Sequence, residues 1–218
     1  MGRHREFDVD KALDAALSVF WKNGYEGTSF EDLTRATGVA RPGLYSAFGN
    51  KETLFFKAID RYDTKHLTYL REALAEPDVH SAVRRFFEGS ITVQTLNGEG
   101  RGCAVLNGAL ACSTETEPIR QELIARQKLT EDAWRVRLER GLQEGELPPS
   151  TNCAMLAGYL MAVNHGLGVQ AKAGASKASL AAIVEHVLAT LPPAPTKKRD
   201  AHQAPLPSHR RPSRRDAK

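Results

Sequence analysis

Residues 41–46 carry side chains whose types and spacing suit contact with a nucleic acid. Arg41 offers a fork of N–H donors that fits guanine O6 and N7 or a phosphate oxygen. Tyr45 offers a hydroxyl and a flat ring to a phosphate or a thymine methyl, and Gly43 leaves room for close approach of a duplex. Together with Pro42 and Ser46, these residues form the predicted outward side of one short helix.

Phosphate groups also fit the starts of two neighbouring helices, where unpaired N–H groups and the helix dipole attract anions. Thr28, with Glu31 three residues later, predicts a capping box at one start, and Lys51 lies at the other, which Asn50 can cap. The predicted contact residues are therefore Thr28, Ser29, Arg41, Pro42, Gly43, Tyr45, Ser46 and Lys51.

Helical periodicity predicts the elements that position these residues. A first helix covers about residues 8–23 and ends at Gly24. A second, short helix ends before Gly38, a third covers about 41–48, and a fourth runs from 51 to about 76. Two short helices joined by a glycine turn after a longer helix are typical of a helix-turn-helix, whose second helix enters the major groove. Val39 and Leu44 are predicted to face inward and hold the pair together.

The segment "FWKNGYEGTSFEDLTRATGVARPGLYSAFGNKETLF" strongly resembles the N-terminal domain of the TetR family of regulators. The match includes the Gly-Tyr before the second helix, the Thr-Ser at its start, the Gly-Val turn and the Leu-Tyr-x-x-Phe stretch. The resemblance implies that residues 1–56 bind a palindromic double-stranded DNA operator. Ala40 departs from the family's common serine and Thr34 from its common alanine, which affects the expected operator contacts.

The resemblance further implies that residues 57–191 form a helical domain for ligand binding and dimerisation, so the predicted fold class is all-α. The last two predicted helices, within residues 151–191, are rich in apolar and small side chains, which predicts a four-helix homodimer interface. The expected interface residues are Leu156, Tyr159, Leu160, Val163, Ile183, Val184, Val187 and Leu188, interleaved with Gly158, Ala162 and Gly166. The alternative is that these helices pack only within one chain.

A small-molecule effector of unknown identity is expected between the central helices of this domain. The predicted pocket or sensing residues are Cys103, Phe87, Ile91, Asn107, Gln127 and Trp134; the alternative is that they form ordinary core. Cys103 begins a predicted helix near Arg101, and both features favour the reactive thiolate. "RGCAVLNGALACS" also resembles a stretch of family members that respond to electrophiles or oxidants. The alternative for Cys103 is a small buried side chain.

Charge and composition give further information on the DNA-binding part, the tail and the location of the protein. The chain carries a net charge of +4, but residues 192–218 hold eight Lys/Arg and two Asp/Glu, so global basicity does not identify the DNA-binding part. This Pro/Arg-rich tail is predicted to be disordered, and it either adds weak DNA affinity or is inert. No leader or membrane span is expected, which predicts a cytoplasmic protein without a membrane partner.

No catalytic motif supports an enzyme. The closely spaced glycines of "GEGRG" lack the strand and the Lys-Ser/Thr of a nucleotide site, and the histidines lack metal-ligand or nucleophile–base spacing. We therefore predict a regulator, most simply a repressor, without cofactor or metal. An activator, a thiol-dependent enzyme using Cys103 and an architectural DNA-binding protein that senses nothing remain the alternatives.

Overall fold

The computed structural model describes residues 7–192, and the regular structure within them is entirely helical. The predicted all-α class is therefore confirmed; the predicted tail falls, except for its first residue, outside the described residues. The helices are α1 (Val9–Asn23), α2 (Phe30–Thr37), α3 (Arg41–Phe48), α4 (Lys51–His66), α5 (Thr68–Leu74), α6 (Val79–Gln94), α7 (Ala104–Leu110), α8 (Glu117–Gln143), α9 (Cys153–Lys172) and α10 (Lys177–Thr190).

Side-chain caps fix most of the helix starts, but the cap of α2 differs from the predicted one. Ser29, not Thr28, accepts from the backbone N–H of Asp32, and the Asp32 carboxylate accepts from the backbone N–H of Ser29. Thr28 is fully buried and its hydroxyl donates to the Gly24 carbonyl at 2.7 Å. The capping box is thus shifted by one residue, because Thr28 is used to close the end of α1 instead.

The predicted fourth helix is broken. α4 ends at His66, and α5 begins at Thr68 after a non-helical Leu67. The break places Tyr69, on α5, against Gly89 of α6, where an added Cβ would lie 2.5 Å from the Tyr69 ring. Packing against a distant glycine thus explains the break; neither proline nor glycine interrupts the sequence there.

Two clusters of buried apolar side chains form the interior. One joins α1–α4 to α7 and the start of α8, and includes Phe20, Trp21, Phe55 and Leu123. The other joins α6, α8, α9 and α10 around Phe87 and Trp134. Burial of large side chains of this kind stabilises each by about 1.5–3 kcal/mol relative to exposure.

Ion pairs join α1 to α4 at the edge of the first cluster. Arg61 on α4 donates to Asp14 on α1 at 2.9 Å, and Lys65 donates to the same carboxylate at 3.0 Å. The hydrogen bond from Arg61 lowers the pKa of Asp14, although partial burial opposes this. The orientation of α4 is therefore tied to that of α1.

Candidate nucleic-acid interface and ligand cavity

α2 and α3 are joined by a sharp turn at Gly38. Its φ of 68° and ψ of 10° are left-handed, a conformation that glycine adopts without a steric penalty. Leu33, Val39 and Leu44 are buried on the inner side of the pair. The predicted inward orientation of Val39 and Leu44 is thus confirmed, and the opposite side of α3 faces solvent.

The outward side of α3 exposes Arg41, Pro42, Tyr45 and Ser46. The guanidinium of Arg41 donates to the Tyr45 hydroxyl at 3.1 Å. It also lies 4.4 Å from the ring centroid of Phe30, which stacks on Tyr45 at 4.9 Å. Phe30 and Tyr45 thus hold the guanidinium at the first turn of α3. Phe30 was not among the predicted contact residues, although an aromatic residue at the start of α2 can indicate a ring on which a guanidinium packs.

Gly43 is half-buried rather than fully exposed. An added Cβ would lie 2.9 Å from a methyl of Val39, so packing between the turn and α3 already requires a small residue here. α3 begins at Ala40 without a side-chain cap. The absence of a cap agrees with the departure from the common serine, and it leaves the first turn of α3 without a side-chain acceptor of its own.

The two predicted phosphate sites differ in the structure. At the start of α2 the side chain of Thr28 is buried and cannot reach a ligand, and the Ser29 hydroxyl donates to Asp32 at 2.6 Å. The predicted Thr28 contact is therefore wrong for its side chain. Lys51, at the start of α4, lies with its ammonium 4.4 Å from the Tyr25 ring centroid. Burial lowers its pKa, and the nearby Glu26 carboxylate opposes that shift.

A cavity of about 460 Å³ lies between α4, α5, α6, α7, α8 and α9. Cys103 and Gln127 line it, as predicted. Phe87, Ile91 and Trp134 do not, because they are buried in the second cluster among α6, α8 and α9. Asn107 lies elsewhere, where it donates to the carbonyl oxygens of Arg101 and Trp21. Of the six predicted pocket residues, Cys103 and Gln127 therefore line this cavity and these four side chains do not.

Charged side chains that sequence analysis did not assign to the pocket also line the cavity. They are Asp63 on α4, Glu122 and Arg126 on α8, and the ionisable His165 on α9. Arg126 donates to Asp63 at 2.7 Å and to Glu122 at 3.1 Å. Arg126 and Asp63 are 63 residues apart in the sequence, so no local pattern relates them.

Cys103 lies at the N-terminus of α7, on the cavity wall. The backbone N–H groups of Val105 and Leu106 and the Tyr62 hydroxyl lower the thiol's pKa, but burial outweighs them and the net shift is upward. The guanidinium of Arg101 instead binds Glu99 at 2.8 Å. The expected low-pKa thiolate is therefore wrong; the helix terminus acts in the predicted direction and desolvation dominates.

The residue before Cys103 is bonded directly to the helix-turn-helix part. The indole N–H of Trp21, on α1, donates to the Gly102 carbonyl at 2.8 Å, and this bond is buried. Arg101 lies over the Trp21 ring, 5.4 Å from its centroid. The start of α7 therefore contacts α1 on one side and the cavity, through Cys103, on the other.

One face of α9 is apolar, exposed and lined by small residues. Met155, Tyr159 and Val169 are 71%, 41% and 51% exposed, with Ala162 and Gly166 between them. An added Cβ at Gly166 would meet nothing within 4 Å. Of the predicted interface residues, Leu160, Val184, Val187 and Leu188 are instead buried within the chain. The exposed face of α9 thus keeps Tyr159, Ala162 and Gly166 of the predicted set and excludes Leu160.

Residues 7–192 lack the features of two other kinds of site. None of their helices combines the length and apolar character that crossing a membrane requires. They contain no group of three or more His, Cys, Asp or Glu side chains placed to hold a metal ion.

This chain is similar in sequence to known families and proteins. Residues 12–58 match the family model described as bacterial regulatory proteins, tetR family, and residues 80–187 match the tetracyclin repressor-like C-terminal domain. The repressor ComR of Escherichia coli strain K12 is 34% identical over 193 residues, which cover 88% of this chain and 92% of ComR. The repressor AcnR of Corynebacterium glutamicum is 26% identical over 86% of this chain and 92% of AcnR.

A solved structure extends the comparison. A cysteine-substituted form of the regulator CifR, complexed with 26-base-pair operator DNA, has a TM-score of 0.83 and 37% identity to this chain. The match covers 88% of this chain and 100% of that one. The fold, the exposed third helix and these matches together define a helix-turn-helix, DNA-binding transcriptional regulator. The chain belongs to the TetR family.

Proposed function

We propose that this protein is a cytoplasmic transcriptional repressor that binds a palindromic operator as a homodimer and is released by a small molecule. The exposed face of α3 carries the proposal, because Arg41 and Tyr45 are held there by the Phe30 ring with their polar groups in solvent. The 37% identical CifR, solved in complex with operator DNA, supports operator binding by this chain. Ser29, Pro42, Gly43, Ser46 and Lys51 complete the proposed interface.

We assign the homodimer to the face of α9 that carries Met155, Tyr159, Ala162, Gly166 and Val169, together with α10. Small residues allow two helices to approach closely, and a two-fold interface brings this face against its own copy. Two copies of α3 then read two half-sites of a palindrome, separated by about one helical turn of DNA. The proposed division is a DNA-binding part at 1–56, a sensing and dimerising part at 57–191 and a tail from 192.

We place the effector in the 460 Å³ cavity, whose volume suits a small organic molecule. Its wall includes α4, which leaves the DNA-binding part at Lys51, so a ligand that alters the wall alters the separation of the two α3 helices. Effector and operator then oppose one another with a coupling of about 1–3 kcal/mol.

The experiment is footprinting of the purified protein on the DNA that flanks its own gene, with and without a panel of hydrophobic and electrophilic small molecules. We expect a discrete palindromic footprint that one class of molecule abolishes. Diffuse, salt-labile protection without a defined site would instead indicate an architectural DNA-binding protein. Activation of the adjacent promoter by the bound protein would mean that the protein is an activator and not a repressor.

Covalent modification of Cys103 is a second mode of release, and the position of this residue favours it. Its sulfur lies on the cavity wall, and its neighbour Gly102 accepts the hydrogen bond from Trp21. A quinone in the cavity can accept the thiol: a sulfur–carbon bond forms to a ring carbon as the S–H bond breaks, and the thiol proton moves to one quinone oxygen. The hydrogen on the attacked ring carbon then moves to the other oxygen, and the product is a hydroquinone thioether. The adduct then displaces the start of α7 from α1.

We expect Cys103→Ser to keep operator binding and to lose release by a quinone, since serine matches the shape but does not add. Cys112→Ser and Cys153→Ser are the matched controls and should respond as the unsubstituted protein does. Operator affinity after treatment, with the adduct located by mass spectrometry, measures both. Unchanged release of the Cys103→Ser protein would exclude the cysteine route and leave reversible binding in the cavity.

A further inference from the structure

We infer that the cavity between α4, α8 and α9 takes an organic monocation with an aromatic or branched apolar body. This inference deepens the proposed function, on which it rests for the link to the operator, since it names the class of effector. The charges, the apolar lining and one unsatisfied hydrogen-bond donor of the cavity wall support it.

The charges at the cavity wall do not balance. One guanidinium, that of Arg126, is shared among three carboxylates: Asp63 at 2.7 Å, Asp60 at 2.8 Å and Glu122 at 3.1 Å. Two of these carboxylates, Asp63 and Glu122, line the cavity together with Arg126, so two negative charges face one positive charge there. Arg126 is the only lysine or arginine among the described residues that line the cavity. An added cation reduces this excess, whereas an anionic ligand increases it.

The state of Asp63 supports the same conclusion. Burial raises its pKa and Asp60 adds to the shift, although Arg126 acts in the opposite direction. The carboxylate is thus incompletely compensated by its partner. His165, the other titratable group on the wall that could carry positive charge, has its pKa lowered by burial. Burial thus favours its neutral form over a cation.

The remainder of the wall suits an apolar or aromatic body. Tyr69 and Phe86 present rings whose centroids lie 6.0 Å apart, and rings of this kind attract organic cations through their faces. Apolar side chains complete the lining: Leu67, Leu70, Val105, Leu129 and Met161. The wall thus combines carboxylates that can bind a charged head with rings and apolar side chains that can pack against an apolar body.

Gln127 adds a hydrogen-bond donor. Its side-chain Nε2 is buried on the wall and has no acceptor among the described residues. A buried donor without a partner costs about 1–3 kcal/mol. A carbonyl, ether or hydroxyl oxygen on the ligand would satisfy it. The ligands expected in the cavity are therefore organic monocations that also carry a neutral oxygen acceptor.

Binding of such a cation changes a contact between α4 and α8. Asp60 and Asp63 lie on α4 and Arg126 lies on α8, so this ion pair joins the helix that follows the DNA-binding part to the sensing helices. A cation competes with Arg126 for Asp63 and loosens that connection. The same competition works in reverse, because operator binding that fixes α4 disfavours the cation.

Benzoylcholine and its neutral carbon isostere, 3,3-dimethylbutyl benzoate, test the inference. The two molecules share the ring, the ester oxygen and the branched end, and differ in the single positive charge. We expect benzoylcholine to bind the purified, DNA-free protein about tenfold more tightly, measured by calorimetry at low salt. Equal or tighter binding of the neutral isostere would overturn the inference.

Variants locate the site. Asp63→Asn and Glu122→Gln should each weaken benzoylcholine about tenfold and leave the isostere unchanged. Glu122→Gln removes a half-exposed charge without touching α4, so it reports binding even if Asp63→Asn perturbs the fold. Glu115→Gln, which removes an exposed carboxylate outside the wall, is the matched control and should bind like the unsubstituted protein. Equal loss in all three variants would place the cation elsewhere.

Direct binding separates this inference from the proposed function. If benzoylcholine binds through Asp63 and Glu122 but operator affinity does not change, the effector site stands and the proposed release fails. If a neutral or anionic molecule releases the operator through this cavity while benzoylcholine does not bind, the release stands and the cation class is wrong.

Discussion

Arg41→Ala is expected to weaken operator binding about tenfold to a hundredfold, because a well-placed arginine–guanine contact contributes about 1–3 kcal/mol. No carboxylate pairs with Arg41 among the described residues; the Tyr45 hydroxyl and the Phe30 ring hold it. The guanidinium is therefore positioned but not neutralised. The measurement is equilibrium binding to the footprinted operator at several salt concentrations.

The salt series and single-base operator variants distinguish two kinds of contact. If Arg41 binds a base, its loss relaxes specificity at one position; if it binds a phosphate, affinity falls for every sequence and the salt slope decreases by about 1. Arg84→Ala, which removes an equal charge from a partly exposed side chain of α6, is the control and should bind normally. Normal binding by Arg41→Ala would exclude the first turn of α3 as the reading element.

Ala162→Arg is expected to convert the dimer to monomers and to reduce operator affinity by more than about a hundredfold. Ala162 lies at the middle of the exposed α9 face, and a long charged side chain there would hold two helices apart and place like charges together. A monomer loses the high effective concentration of the second half-site, which contributes about 10²–10⁴ in avidity. Analytical ultracentrifugation and operator titration measure the two effects.

The control for this variant is Ala75→Arg, which makes the same change at an exposed position after α5. It should remain dimeric and bind the operator normally. If Ala162→Arg stays dimeric at micromolar concentration, the α9 face is not the interface. If it becomes monomeric yet keeps its affinity, one copy of α3 suffices and the palindromic operator is wrong.

Much of the fold could be predicted because its signals are local. Gly24, Gly38 and Asn50 mark helix ends through caps and turns that depend on a few neighbouring residues. The helix-turn-helix residues follow, since they lie within one short stretch. Thr28 was predicted to cap α2 in place of Ser29 because either side chain can do so. Burial of Thr28 against the end of α1 decides that Ser29 is the cap.

The cavity and the dimer face could not be predicted in the same way. Arg126 meets Asp63 across 63 residues, and the break at Leu67 depends on Tyr69 packing over Gly89 on another helix. α9 carries apolar residues on more than one face, so periodicity does not show which face the chain covers itself. Leu160 and Tyr159 are adjacent and equally suitable in sequence, yet one is buried and the other is half-exposed.

The buried bond from Trp21 to Gly102 limits how this regulator can be recombined. A chimera that joined residues 1–56 to the sensing part of another family member would keep Trp21 and lose its acceptor. It would also separate Phe55 from the α7 surface at Gly108, where an added Cβ would lie 3.4 Å from the ring. A hybrid repressor with a new operator preference is therefore better obtained by exchanging only the exposed residues of α3, which leaves this shared interior intact.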